Sequence, residues 1–199
     1  LSFKGEISCF FTAVLTGCAD AEKHAAKSSS GQPLAPVAWT DAAGVFIDRN
    51  GAEIGAAILT NAPRAGVLMR VDLRGLPHGW HGVHLHRTGD CSDFEAGFKA
   101  SGGHINPDGN KHGLLNEDGP ERADLPNIFA HTDGRAIVEI FNSRVALYPS
   151  EAAAAEAGPH PLMDEDGFAI VVHLNADNHV DQPIGGAGER IACAAIGGE

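Results

Sequence analysis

From about residue 40 onward the chain alternates short apolar runs with clusters of turn-forming residues. Gly44-Val45-Phe46-Ile47 is followed by Asp48-Arg49-Asn50-Gly51, with an Asn-Gly pair of the kind hairpins prefer, and then by Ala57-Ile58-Leu59-Thr60. Val67–Leu73, Ala136–Phe141 and Phe168–Leu174 read as further strands. Their spacing predicts a β-sandwich or barrel. Two stretches break the rhythm. Asp90 to Pro126 has almost no apolar period and is rich in Gly, Asp, Asn and His, and a loop of that length inside a compact domain is usually functional or disordered. Its histidines favour function. Ser150 to Gly158 carries Glu151-Ala152-Ala153-Ala154-Ala155-Glu156-Ala157 before Pro159, which predicts a short helical insertion.

Composition supports the all-β reading, because 25 Gly and 11 Pro with only 6 % aromatics favour many short elements joined by turns. At 199 residues and 43 % hydrophobic, the chain supports one core. Its 14 Lys and Arg against 26 Asp and Glu give a formal charge of −12, which excludes a sequence-independent nucleic-acid binder. The N-terminus adds a different signal. The apolar run Ile7 to Leu15 is too short to span a bilayer but has the length of a signal-peptide core, and Leu15-Thr16-Gly17-Cys18 resembles the lipobox of bacterial lipoproteins. Residues 1–18 are therefore expected to be a signal segment that takes Cys9 with it, with lipid attached at Cys18. Residues 19–38, including Ser28-Ser29-Ser30-Gly31, are expected to form a flexible tether. The folded domain is expected over 39–199.

Histidine is the outlier, with 11 copies, several of them between Trp80 and His112. In a strand, His84 and His86 of His84-Leu85-His86 project from one face. That signal is weak alone, but His104 and His112 follow in the long loop, then Asp124, then His173 on a separate strand. Several imidazoles suit copper, and a mixed imidazole and carboxylate set suits zinc. His78, His81, His131, His160 and His179 are given ordinary structural or surface roles, with His81 on the face opposite His84 if the strand runs regularly past Gly82. His24 lies in the tether.

The string His81-Gly82-Val83-His84-Leu85-His86, then Gly102-Gly103-His104-Ile105-Asn106-Pro107, Lys111-His112-Gly113, Asp124-Leu125, Val171-Val172-His173, Asp177 and Gly188-Glu189-Arg190-Ile191-Ala192-Cys193 resembles the copper/zinc superoxide dismutase family over about residues 40 to 197. Asp177-Asn178 with Asp181-Gln182-Pro183, and Gly89-Asp90-Cys91, resemble its exported bacterial branch. The resemblance implies an eight-stranded Greek-key β-barrel, an immunoglobulin-like sandwich, with long metal-binding and electrostatic loops. It implies copper on His84, His86, His104 and His173, with His104 bridging to zinc and carrying a proton, and Arg190 anchoring the superoxide anion beside copper. Asp177 links a copper histidine to a zinc histidine, and Cys91 pairs with Cys193.

The zinc set implied is His104, His112, Asp124 and a histidine nine residues after His112, but that position is Glu121. With Arg122 adjacent to draw the carboxylate away, zinc is expected to bind weakly or not at all. The function implied is dismutation of superoxide by an exported protein, periplasmic or held at the membrane only by a lipid anchor. The alternative is a copper-binding or copper-buffering protein of the same fold with little dismutase activity. Arg190 speaks against it, since a copper store needs no anion anchor.

Overall fold

A computed structural model describes residues 41–149 and 158–197. The expected signal segment, Cys18, the tether, and the insertion from Ser150 up to Gly158 lie outside the described residues. Seven strands form one antiparallel sheet: β1 (Ala42–Asp48), β2 (Glu53–Asn61), β3 (Val67–Leu73), β5 (Val83–His86), β7 (Ala136–Asn142), β10 (Phe168–His173) and β11 (Arg190–Ile196). Their order is β5-β10-β11-β1-β2-β3-β7. β4 (Gly79–His81) runs into β5 through Gly82 and pairs with β6 (Ile128–Ala130), which in turn contacts β7. The sheet thereby curls into a barrel. Counting β4 and β5 as one interrupted strand gives eight main strands, the number the resemblance implies. The short β8 (Val145–Ala146) and β9 (His160–Pro161) pair in parallel at the side.

The hairpin turn sits where Asn50-Gly51 predicts it. Gly51 alone takes a positive φ, of 78°, while the Asp48 carboxylate accepts the N–H groups of Asn50 and Ala52. β10 reads in sequence as an unbroken apolar run because both of its faces are covered. Phe168, Ile170 and Val172 enter the main core, whereas Ala169 and Val171 pack with Phe98 and the Cys91–Cys193 disulfide on the other side.

The long loop between β5 and β6 is ordered by backbone pairing, which an apolar period cannot reveal. Leu85 gives its N–H to Ala123 and accepts from Ile105, and Ala123 donates to Ile105 in turn. Two arms of the loop thus lie along β5, setting His104 opposite His86 and Asp124 opposite His84. Ile105, Ala123 and Leu125 anchor the arms in the core. Two single 3₁₀ turns, Phe94–Ala96 and Lys99–Ser101, complete the loop.

Candidate metal centre

On β5, Val83 and Leu85 point into the barrel, so His84 and His86 point out under the loop. Loop pairing brings His104 to them, and β10, the neighbour of β5, brings His173. The ring centroids of His84 lie 4.3 Å from His104 and 4.9 Å from His173, and those of His86 and His104 are 5.2 Å apart. One nitrogen on each ring is buried and without a hydrogen-bond partner: His84 Nδ1, His86 Nε2, His104 Nε2 and His173 Nε2. Buried orphan nitrogens are costly unless something is meant to fill them; His84, His104 and His173 bring donors within 4.8 Å of one another, with His86 beside them, a set that suits a metal that takes imidazole.

The opposite nitrogens are occupied. His86 Nδ1 bonds Gly102 O at 2.9 Å, His173 Nδ1 bonds Gly188 O at 2.9 Å, and His84 Nε2 bonds Asp177 Oδ2 at 3.0 Å. Each carbonyl or carboxylate accepts a hydrogen bond from its ring N–H and so leaves the other nitrogen with a free lone pair. Burial, only partly offset at His84 by the Asp177 bond, pushes His84 down to about 4. Burial with neighbouring positive charge pushes His173 to about 3 and His86 well below the usual range. All three rings are therefore neutral near pH 7, the form that ligates.

A second cluster lies on the far side of His104. His104, His112, Glu121 and Asp124 bring one donor atom each to within 4.8 Å of one another. Glu121 Oε2 is 2.6 Å from His104 Nδ1, and Asp124 Oδ1 is 2.7 Å from His112 Nδ1. The expectation that Arg122 turns Glu121 away is corrected here. The two side chains leave the backbone on opposite sides: Arg122 forks onto the Asp108 carboxylate and also donates to the carbonyls of Arg144 and Gly158. Glu121 is left facing inward, and Asn106 Nδ2 donates to its other oxygen at 2.9 Å. Burial would raise the Glu121 carboxyl, but the bonds from His104 and His112 hold it down at about 2. His112 is driven the other way: burial opposes its charge, yet bonds to Asp124, Asp177 and Glu121 raise it to about 11.

Asp177 joins the clusters, since its carboxylate accepts from His84 Nε2 and from His112 Nε2, the latter at 3.1 to 3.2 Å. A Cβ on Gly185 would lie 1.6 Å from Asp177 Oδ1, so only glycine fits there. Arg190 lines a cleft with His86, Arg87, His104 and His173. Its guanidinium is fixed by the carbonyls of Phe98 and Gly102 and by Ser101 Oγ. Cys91 and Cys193 are bonded to each other.

Residues 54–196 match the copper/zinc superoxide dismutase (SODC) family. The chain belongs to that family. The copper/zinc superoxide dismutase of Caulobacter vibrioides is 46 % identical over 149 residues, covering 74 % of this chain and 80 % of that one. A second copper/zinc superoxide dismutase, from Aquifex aeolicus, is 38 % identical over 152 residues, 76 % of this chain and 83 % of its own. The solved structure of the copper/zinc superoxide dismutase from Brucella abortus superposes with a TM-score of 0.58 at 26 % identity, over 77 % of this chain and 97 % of that one. A superoxide dismutase-like protein from Bacillus subtilis superposes at 0.68 and 27 % identity, over 77 % and 96 %. The activity of the superoxide dismutase family is thereby assigned to this chain, and the all-β barrel expected from sequence is the fold observed.

Sequence reasoning missed the supports. Gly102, with φ 75°, offers one carbonyl to both His86 and Arg190. Gln182 clamps the backbone of His112 by accepting its N–H and donating to its carbonyl. Asn127 and His179 sit on Asp177. His81 is buried, with its nitrogens on the carbonyls of His173 and Pro77. The strand breaks at Gly82, so the regular alternation assumed for His81 does not apply.

Proposed function

We propose that His84, His86, His104 and His173 hold copper and that Arg190 positions superoxide beside it. The observation that carries this is the set of four buried imidazole nitrogens without partners, beside a cleft that also presents a fixed guanidinium. Copper there supplies the one-electron couple that oxidises one superoxide to O2 and reduces the next to peroxide. The residues do the rest. Arg190 holds the anion by charge-assisted hydrogen bonds and is itself held by three acceptors, so little ordering remains for the encounter. When not engaged by the metal, His104 Nε2 would take up a proton from solvent and give it to the departing peroxide.

The second cluster is read as a zinc site altered by Glu121. It offers two nitrogens and two oxygens, a donor set zinc accepts. Glu121 Oε2 is already bonded to His104 Nδ1, a contact that zinc must displace while the Asn106 bond to Oε1 stays, so zinc is held more weakly than by three histidines and an aspartate. The N-terminal pattern supports export to the periplasm, with lipid at Cys18 as the membrane anchor. The alternative of a copper store is disfavoured by Arg190, which a store does not use. The experiment is superoxide consumption beside separate copper and zinc analysis of purified protein. Arg190→Glu is expected to keep copper and lose most of the rate, and His86→Ala to lose both. Full activity in either variant rejects the corresponding role.

A further inference from the structure

Asp177 is buried beneath a surface groove lined by Trp80, Pro126, Asn127, Ala176 and His179. We infer that His179 is a positioning residue: as a neutral ring protonated at Nδ1, it closes the solvent side of Asp177 and fixes the carboxylate between His84 and His112. The inference rests on the proposed linking role of Asp177.

The tautomer follows from Asn127. Its Oδ1 accepts the backbone N–H of Asp177 at 2.9 Å, and its Nδ2 donates to the Asp177 carbonyl at 2.8 Å. Flipping the amide would set donor against donor and acceptor against acceptor, so its orientation is fixed. The same Nδ2 lies 3.2 Å from His179 Nε2, which must therefore accept. The ring proton then sits on Nδ1, 3.2 Å from Asp177 Oδ2. The backbone N–H of His179 adds a 2.6 Å bond to Oδ1.

The Asp177 carboxylate accepts hydrogen bonds from three groups, the rings of His84 and His112 and the backbone N–H of His179, while Nδ1 of the His179 ring faces it at 3.2 Å without the alignment of a hydrogen bond. None of these residues except His179 reaches the groove. Its backbone has φ 62°, an unusual choice for a residue whose side chain had no task. Its ring is about one-sixth exposed, whereas the side chain of Asp177 is fully buried.

The test is long-range proton–nitrogen NMR of the histidine rings in the metal-free protein. His179 is expected to be neutral with the proton on Nδ1, and the Nε2 protons of His84 and His112 are expected to be protected from exchange. A proton on Nε2 of His179 overturns the inference without any variant. His179→Asn and His179→Gly both tolerate the left-handed backbone and keep the backbone N–H, so a change in them reports the lost ring. In both, the Nε2 protons of His84 and His112 are expected to exchange at least tenfold faster, with the barrel's amide protection unchanged. Unchanged exchange at both rings rejects the role. If the parent shows the expected rings but no dismutase activity, the functional reading fails and this one stands.

Discussion

At the scale of single residues, Glu121 is the substitution that most changes chemistry. A histidine there would give zinc a third imidazole and remove one negative charge from a cluster that already holds Asp124 and Asp177. Glu121→His is expected to tighten zinc by about tenfold or more, because imidazole suits zinc better than a carboxylate engaged elsewhere. Competition with a chelator of known affinity reads this directly, and equal, tight zinc in parent and variant would show Glu121 to be a fully competent ligand. The histidines and carboxylates of the two clusters were legible in sequence mainly through the family resemblance, since His-x-His on a strand is a weak signal alone and His173 lies on a distant strand. Their supports were not. His179, Asn127 and Gln182 owe their roles to contacts made only when distant segments meet, and nothing in their immediate neighbours announces them.

At the scale of elements, β3 and β7 were legible from apolar alternation, and β10 from its continuous apolar run. The first half of β2 was hidden because Glu53 and Gly55 interrupt its pattern, and Gly55 is required where a Cβ would meet Asp72 O at 2.0 Å. The long loop was legible as functional but not as ordered, since backbone bonds to β5 and a disulfide hold it. That disulfide joins the loop to β11 across 102 residues. Removing it with Cys91→Ser and Cys193→Ser together is expected to cost about 4 to 5 kcal/mol in the chain-entropy account, read from denaturant unfolding. A loss below about 1 kcal/mol would mean that β5 pairing alone orders the loop.

The histidines on β5 and β10 give the metal-free barrel a pH dependence of known sign. His84 and His173 titrate at about 4 and about 3 when folded, whereas an unfolded histidine titrates near 6.5. Between those values the unfolded chain binds more protons, so stability falls as pH drops from about 6.5 to about 4. His112, held up at about 11, acts between 6.5 and 11 and adds no opposing slope below 6.5. The melting temperature of metal-free protein is expected to drop by about 5 °C or more across that interval. A flat profile would contradict the burial of these rings.

For the whole molecule, the question is how an anion reaches copper on a chain of formal charge −12. At physiological salt the Debye length is about 8 Å, so charges lining the cleft outweigh those spread over the rest of the surface. Two arginines line it. Arg190 is committed to backbone acceptors, while Arg87 is exposed and, among the described residues, makes no ion pair. Its stem lies against Gly102, where a Cβ would come within 3.0 Å of both Arg87 Cγ and Nε. The residue that orients His86 and Arg190 thus also seats Arg87. Association steered by such local charge speeds up at low salt. The rate constant for superoxide is therefore expected to fall as ionic strength rises. Arg87→Glu is expected to lower it several-fold at low salt and to flatten the dependence, while copper content and the visible spectrum of Cu(II) stay as in the parent. A parent rate that rises with salt would show that the net charge governs capture, and an Arg87→Glu variant with the parent's salt slope would return Arg87 to the ordinary surface.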